Sequence, residues 1–160
     1  ATPISVSAAN TPYASTCGDF DNDGRPDVVV GADGSSGDLL IFRNTSMGVG
    51  NIQLGTPIAI SLLSQAYAMK ACDFNGDGFL DLAVSVNGFN EIRIYQNIST
   101  GPGNIAFTLA NTVNIGLSAF EMEVGDMDGD GLEDIVCSFS FNTVYRILRN
   151  TSSGGFISFA

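Results

Sequence analysis

Three short acidic stretches have the residue types and the spacing of a cation-binding loop. They read D-F-D-N-D-G-R-P-D, D-F-N-G-D-G-F-L-D and D-M-D-G-D-G-L-E-D, starting at Asp19, Asp73 and Asp126. Oxygen atoms at positions 1, 3 and 5 can converge on one hard cation, and glycine at position 6 lets the backbone turn around it. Position 7 can add its carbonyl oxygen, and position 9 is aspartate in every copy. The predicted ligands are Asp19, Asp21, Asp23, Arg25, Asp27, Asp73, Asn75, Asp77, Phe79, Asp81, Asp126, Asp128, Asp130, Leu132 and Asp134.

The donor set favours calcium. All of these ligands offer oxygen and the chain contains no histidine, so we expect three Ca²⁺ per chain and regard zinc and copper as poor candidates. An EF-hand loop starts in the same way but needs an acidic residue at position 12 and flanking helices. Position 12 is Val30, Val84 or Cys137, inside an apolar run. The alternative, that Asp-Gly clusters merely form turns, is weakened by three copies in register.

The loops recur 54 and then 53 residues apart, a period typical of an array of supersecondary units. No segment has a helical period, so we predict an all-β chain with four strands in each of the first two repeats. The predicted strands are Tyr13–Phe20, Pro26–Ala32, Leu39–Arg43, Asn51–Ile60, Ala66–Phe74, Leu80–Val86, Glu91–Gln96, Ile105–Ile115, Phe120–Met127, Leu132–Phe139 and Val144–Arg149, with the start of a twelfth at Phe156–Phe159.

The repeated pattern D-x-[DN]-x-D-G-x-x-D-[LIV] resembles the FG-GAP/VCBS repeats of integrin-α-type β-propellers, and the resemblance covers essentially the whole chain. Clear Phe-Gly and Gly-Ala-Pro signatures are missing, with Gly31-Ala32-Asp33 as the nearest match, so the chain is more similar to microbial members than to integrins. The resemblance implies four-stranded antiparallel blades, structural calcium and an extracellular or cell-surface location. We expect one half-propeller domain over residues 1–160, with repeats at about 8–61, 62–115, and 116–160 plus 1–7.

The two ends of the chain match consecutive parts of one repeat. Phe156–Ala160 aligns with Ile52–Gly55, and Thr2–Ile4 aligns with Thr56–Ile58. Propellers close with about 4 to 8 blades, so three blades cannot form a ring. One hypothesis is a homodimer in which head-to-tail strand exchange completes the last blade of each chain and gives a six-bladed ring. The other hypothesis is that the chain is part of a longer propeller.

Composition excludes several partners. The chain has 17 acidic against 6 basic residues, 12 of the acids lie in the three loops, and three Ca²⁺ would change the net charge from −11 to −5. No basic patch is available for phosphates, so nucleic-acid binding is not expected. No apolar run approaches the length of a membrane span, and the start Ala1-Thr2-Pro3 suits a mature or trimmed product. We interpret Cys17, Cys72 and Cys137 as buried thiols, not as disulfide partners.

Two further sets of residues recur once per repeat. Tyr13, Tyr67 and Phe120 each precede their loop by six residues, and we interpret them as packing between blades, with an aromatic platform for a sugar or peptide as the alternative. The sequons that start at Asn44, Asn97 and Asn150 predict a polar turn after the third strand, with glycosylation as the alternative.

Catalysis has little support in the sequence. Glu121 and Glu123 form the one candidate carboxylate pair, the matching residues of the other repeats are not acidic, and no nucleophile motif is present. The resemblance to propeller lectins and adhesion proteins implies a non-enzymatic recognition module that binds carbohydrate or protein. The alternative is a structural or oligomerisation fragment of a larger secreted or surface protein. The loop with Asn75 is expected to bind calcium most weakly, because ligand charge tunes affinity.

Overall fold

The computed structural model describes residues 5–8, 11–33 and 37–160, and this part of the chain contains strands and no helix. The strands are β1 (Pro12–Gly18), β2 (Asp27–Ala32), β3 (Asp38–Phe42), β4 (Ile58–Ser61), β5 (Ala66–Cys72), β6 (Asp81–Val86), β7 (Glu91–Asn97), β8 (Phe107–Asn114), β9 (Glu121–Gly125), β10 (Asp134–Ser138) and β11 (Tyr145–Leu148).

The strands form three antiparallel sheets in chain order, β1-β2-β3-β4, β5-β6-β7-β8 and β9-β10-β11. Each sheet is one blade, so the predicted all-β propeller architecture is confirmed. The first two blades also share their register, since Gly18 pairs with Asp27 in the first and Cys72 pairs with Asp81 in the second. Each acidic loop joins the first strand of its blade to the second, which places the three loops at equivalent points of the fold.

The apolar run after each loop forms the second strand of its blade. These strands are rich in β-branched residues, which suit a pleated sheet. In the middle blade every residue of β6 is buried, because a neighbouring blade covers each face. One core cluster joins the first blade to the second around Phe20, Val29 and Leu82, and the other joins the second to the third around Phe74, Ile94 and Ile135. The cores therefore lie between blades and not within them.

The outer strands are shorter than the sequence predicts. The strand expected at Asn51–Ile60 is β4, Ile58–Ser61, because β3 pairs only through residues 38–41 and the residues before Ile58 lie beyond its end. Pro57, which has no N–H to donate, directly precedes this strand. The strand expected at Phe156–Phe159 was also wrong: these residues make two isolated bridges, Asn150 to Phe159 and Ser153 to Phe156. They fold back on the segment that follows β11.

The burial predicted for the cysteines holds only for Cys137. Cys72 is half-buried and Cys17 is exposed, and none of the three forms a disulfide. Cys17 lies on the first blade, whereas Cys137 belongs to the core between the second and third blades. The predicted match of Thr2–Ile4 with Thr56–Ile58 lies outside the described residues.

Candidate metal centres

The first aspartate of each loop organises the backbone around it. Asp19 accepts hydrogen bonds from the N–H groups of Asp23 (3.0 Å) and Gly24 (2.7 Å). Asp73 does the same with Asp77 and Gly78, and Asp126 with Asp130 and Gly131. The loop therefore wraps around its first carboxylate in all three copies.

The next ligand positions continue this pattern. The position-3 oxygen accepts the N–H of position 5 in each loop, and the position-5 carboxylate accepts the N–H of position 7, at 2.9 to 3.2 Å. The glycine at position 6 has a φ of 85°, 88° or 86° in Gly24, Gly78 and Gly131. A side chain is rarely tolerated in this left-handed region, so the predicted role of the glycine in turning the backbone is confirmed.

The aspartate at position 9 is the buried anchor of each loop. In Asp81 one oxygen accepts the N–H of Phe74 (3.0 Å) and the other the N–H of Asn97 (2.8 Å). Asp27 and Asp134 make the same pair of contacts in their own blades. Burial raises the pKa of Asp81 to about 7 and raises the pKa of Asp27 as well, although the backbone donors oppose the shift. The acids of the loops are therefore not all equally easy to ionise.

Carboxylates converge in two of the three loops. Oxygens of Asp19, Asp21 and Asp27 lie within 4.8 Å of one another, as do those of Asp126, Asp128 and Asp130. In the second loop Asn75 stands at position 3, and its Nδ2 donates to Asp77 at 3.0 Å and to the Gly155 carbonyl at 3.3 Å. Clusters that contain only oxygen donors fit a hard cation such as calcium and do not fit zinc or copper.

Two arginines outside the loops pair with these carboxylates. Arg43, directly after β3, donates from Nε to Asp21 (2.6 Å) and also pairs with Asp23, which in addition contacts Arg25. Arg149, directly after β11, pairs with Asp128 and with Asp130. Burial disfavours the charged form of Asp21, but the hydrogen bond from Arg43 holds its pKa below the usual value. These partners were not predicted from the sequence, although Arg43 and Arg149 occupy the same position of their repeats.

The side chains of the three sequon asparagines are engaged in hydrogen bonds. The Asn97 amide is buried and donates to the carbonyls of Leu80 (3.0 Å) and Phe20 (2.9 Å), while its oxygen accepts the N–H of Ser99. Asn150 is buried in the same arrangement. The predicted polar turn is therefore present, and it also links neighbouring blades. An amide held in this way is not accessible for glycosylation in the folded chain.

The remaining candidate residues lie along the inner strands. The rings of Tyr13 and Tyr67 are 6.1 Å apart and those of Tyr67 and Phe120 are 5.9 Å apart, so these residues pack across the blades as predicted. They line a recess of about 180 Å³ that Lys70 and Glu121 also border. Glu121 and Glu123 are both exposed, and Glu123 forms a 2.9 Å ion pair with Lys70 of the neighbouring blade.

This architecture defines a β-propeller repeat protein. Each antiparallel sheet shares a core with its neighbour and carries an acidic loop between its first two strands. A family model described as FG-GAP-like repeat matches residues 19–84 and 73–137, and the chain belongs to this family. FG-GAP repeats form propellers, are generally non-catalytic and occur in extracellular proteins. No helix of the described residues is long and apolar enough to cross a membrane.

Curated relatives include two mammalian proteins. The phosphatidylinositol-glycan-specific phospholipase D of Rattus norvegicus is 27% identical over 86% of this chain, and that of Mus musculus is 26% identical over 86%. The chain spans about a fifth (19%) of the length of each.

Proposed function

We propose that this protein is a calcium-stabilised, non-enzymatic recognition module that acts outside the cell. The observation that carries the proposal is the hydrogen-bond framework shared by the three loops, in which side-chain oxygens at positions 1, 3 and 5 accept backbone N–H groups from the same positions of each loop. The fifteen ligands predicted from the sequence would hold three Ca²⁺, five to each ion. Calcium would supply charge neutralisation, since each loop contains at least three carboxylates. Its role would be structural.

Native mass spectrometry tests the metal assignment. We expect three Ca²⁺ per chain in the protein as purified, loss of these ions on chelation, and a lower melting temperature in the chelated sample. Magnesium and zinc added at equal concentration serve as controls and should not restore the melting temperature. A chelated protein that contains no metal and melts at an unchanged temperature would refute a structural role for calcium.

The aromatic row of Tyr13, Tyr67 and Phe120 is the proposed ligand surface. Tyr13 and Phe120 are exposed, and stacking on flat aromatic faces suits carbohydrate rings as well as peptide side chains. Lys70 and Glu121 at the border of the recess supply polar contacts that can orient a ligand. A glycan array with the intact chain tests this surface. Tyr67→Ala should abolish a signal that Leu109→Ala, at an exposed residue of the outer strand β8 outside the recess, leaves unchanged.

The proposal that the chain is not an enzyme rests on the state of its carboxylates and on its composition. The relatives are named as phospholipases, but this chain corresponds to a fifth of their length, and we propose that it supplies binding and not hydrolysis. Two features support this: Glu123 is paired with Lys70, and the chain has no histidine to act as a base. The second candidate function is a structural unit of a larger surface protein. A glycan array and a protein-binding screen that both stay silent would favour this candidate.

A further inference from the structure

The two junctions between neighbouring blades are built from the same contacts. An asparagine at or just past the end of the third strand donates to a carbonyl of the preceding blade, through Asn97 to Phe20 (2.9 Å) and through Asn150 to Phe74 (2.9 Å). The rings of Phe20 and Phe74 also pack edge-on against Phe107 and Phe159 of the following blade, with centroids 5.5 Å apart in both cases. Each junction therefore has a downstream half on one blade and an upstream half on the next.

The upstream half is also present on the first blade, where no described blade faces it. Asn44 corresponds to Asn97, and within the described residues its Nδ2 donates only to the Pro26 carbonyl (2.9 Å) of its own blade. Ile52 is 63% exposed, whereas its counterparts Ile105 and Ile157 are each 6% exposed. Residues 5–8 border this face near Val30 and leave Ile52 uncovered.

The downstream half is present on the third blade in the same uncovered state. Met127 is 58% exposed, while Phe20 and Phe74, at the same loop position, are fully buried. Tyr145 and Ile147 of β11 are 67% and 46% exposed, whereas Ile92 and Ile94 of β7 are fully buried. Among the described residues, each half of a contact that the chain makes twice internally is thus present in one further, uncovered copy.

We propose that the third blade of one chain packs against the first blade of a second copy of this chain, through the same contacts that join blades within a chain. In this junction Asn44 of one chain would donate to the Met127 carbonyl of the other, and Ile52 would be buried. A head-to-tail contact of this kind either closes into a ring or continues into a filament. Two copies give six blades, which lies within the range of about 4 to 8 for closed propellers, whereas three copies give nine. The assembly is therefore a closed dimer, and it does not require that the loops bind calcium.

Aspartate substitutions at the two faces test this proposal on the intact chain. Ile52→Asp blocks the upstream half and Met127→Asp blocks the downstream half. Both side chains are exposed in the chain, so the variants should keep the wild-type circular dichroism spectrum. Light scattering with size-exclusion chromatography should give twice the chain mass for the wild type and the single chain mass for each variant. Burial of an unpaired charge should weaken the dimer by about 100-fold or more.

Mixing the two variants distinguishes the head-to-tail arrangement from other dimers. Ile52→Asp keeps a usable downstream half and Met127→Asp a usable upstream half, so an equimolar mixture should form a heterodimer through one junction. Leu109→Asp, at an exposed residue of the outer strand β8, is the control and should remain a dimer. A wild-type chain that is monomeric at about 100 µM would overturn the proposal. A dimer that persists in either variant alone would also overturn it.

Discussion

The first and second acidic loops share a backbone framework but differ in the arginine side chains that pair with their carboxylates. The first loop has four aspartates, and Arg25 and Arg43 pair with two of them, so the loop together with these arginines has a net charge of −2. The second loop has three aspartates, and Gln96 stands where the first blade has Arg43, so its net charge is −3. The Gln96 amide donates to the Gly155 carbonyl (3.3 Å) and not to the loop.

This comparison changes the expected order of calcium affinities. A count of ligands within the loops makes the second loop the weakest, because Asn75 replaces an aspartate. In the structure, Arg25 and Arg43 pair with carboxylate oxygens of the first loop. An ion that binds there must either displace these arginines or share the oxygens with them. We therefore predict that the first loop binds calcium more weakly than the second. The affinity of such a site would then depend on the residue at the end of the third strand as well as on the loop itself.

The largest expected effect is a change in the free energy of unfolding with pH when metal is removed by a chelator. Burial raises the pKa of Asp81 to about 7, above the value near 4 of an unfolded aspartate, so the unfolded chain loses this proton first as the pH rises. The free energy of unfolding should then fall between pH 4 and 7, by up to about 4 kcal/mol, and level off above that range. Urea unfolding in the presence of chelator measures this slope. Asp81→Asn should remove most of it, and a slope that persists in Asp81→Asn would show that another group is responsible.

The second-largest effect should be the loss of stability when the buried aspartate at position 9 of the second loop is removed, compared with an exposed aspartate of the same loop. Asp81→Ala leaves the N–H groups of Phe74 and Asn97 without their acceptor and should lower the free energy of unfolding by about 3 kcal/mol. Asp77→Ala, at an exposed carboxylate of the same loop, should cost less than about 1 kcal/mol. Both are measured by urea unfolding without calcium. Equal losses in the two variants would contradict the anchor role of position 9.

Arg43 and Gln96 occupy the same position of their repeats, and exchanging the two residue types tests whether the arginine competes with calcium. Arg43→Gln should raise the calcium affinity of the first loop by about tenfold, and Gln96→Arg should lower that of the second loop by a similar factor, because a competing charge is removed or added. Calorimetry resolves each site when the position-1 aspartates of the other two loops are changed to asparagine. If neither exchange changes the affinity, the arginines do not compete with calcium.

The smallest effect is expected from a change within the second loop. Asn75→Asp should raise its calcium affinity by only about threefold, since the added carboxylate also loses the amide contacts to Asp77 and Gly155. Asn22→Asp adds the same charge to the first loop at position 4, where no ligand is expected, and serves as the control. A gain in Asn22→Asp as large as that in Asn75→Asp would mean that overall charge, and not ligand identity, sets the affinity.

The parts of the molecule that depend on local sequence could be predicted. The loops, the turn at each position-6 glycine and the strands on either side follow from residues that are close together in the chain. The contacts of Asn97 with Phe20, 77 residues apart, could not be predicted, because they depend on how one blade is placed against the next. The role of Arg43 was missed for a related reason: it lies 22 residues from Asp21, although alignment of the repeats beyond the loops would have revealed it. The exposure of Cys17 depends on which face of a blade is covered.

The repetition of the blade junction has a consequence for how such a chain can change in evolution. Each repeat carries its own copy of both halves of the contact, the asparagine and the apolar side chains on one face and the accepting carbonyl on the other. A repeat gained by duplication therefore brings compatible neighbours with it, and the loss of a repeat leaves two faces that still match. Blade number can change by recombination without the selection of new contacts at the point of insertion. Because stability in such arrays depends on nearest neighbours, an added repeat would change the free energy of unfolding mainly through its own stability and its contacts with adjacent repeats.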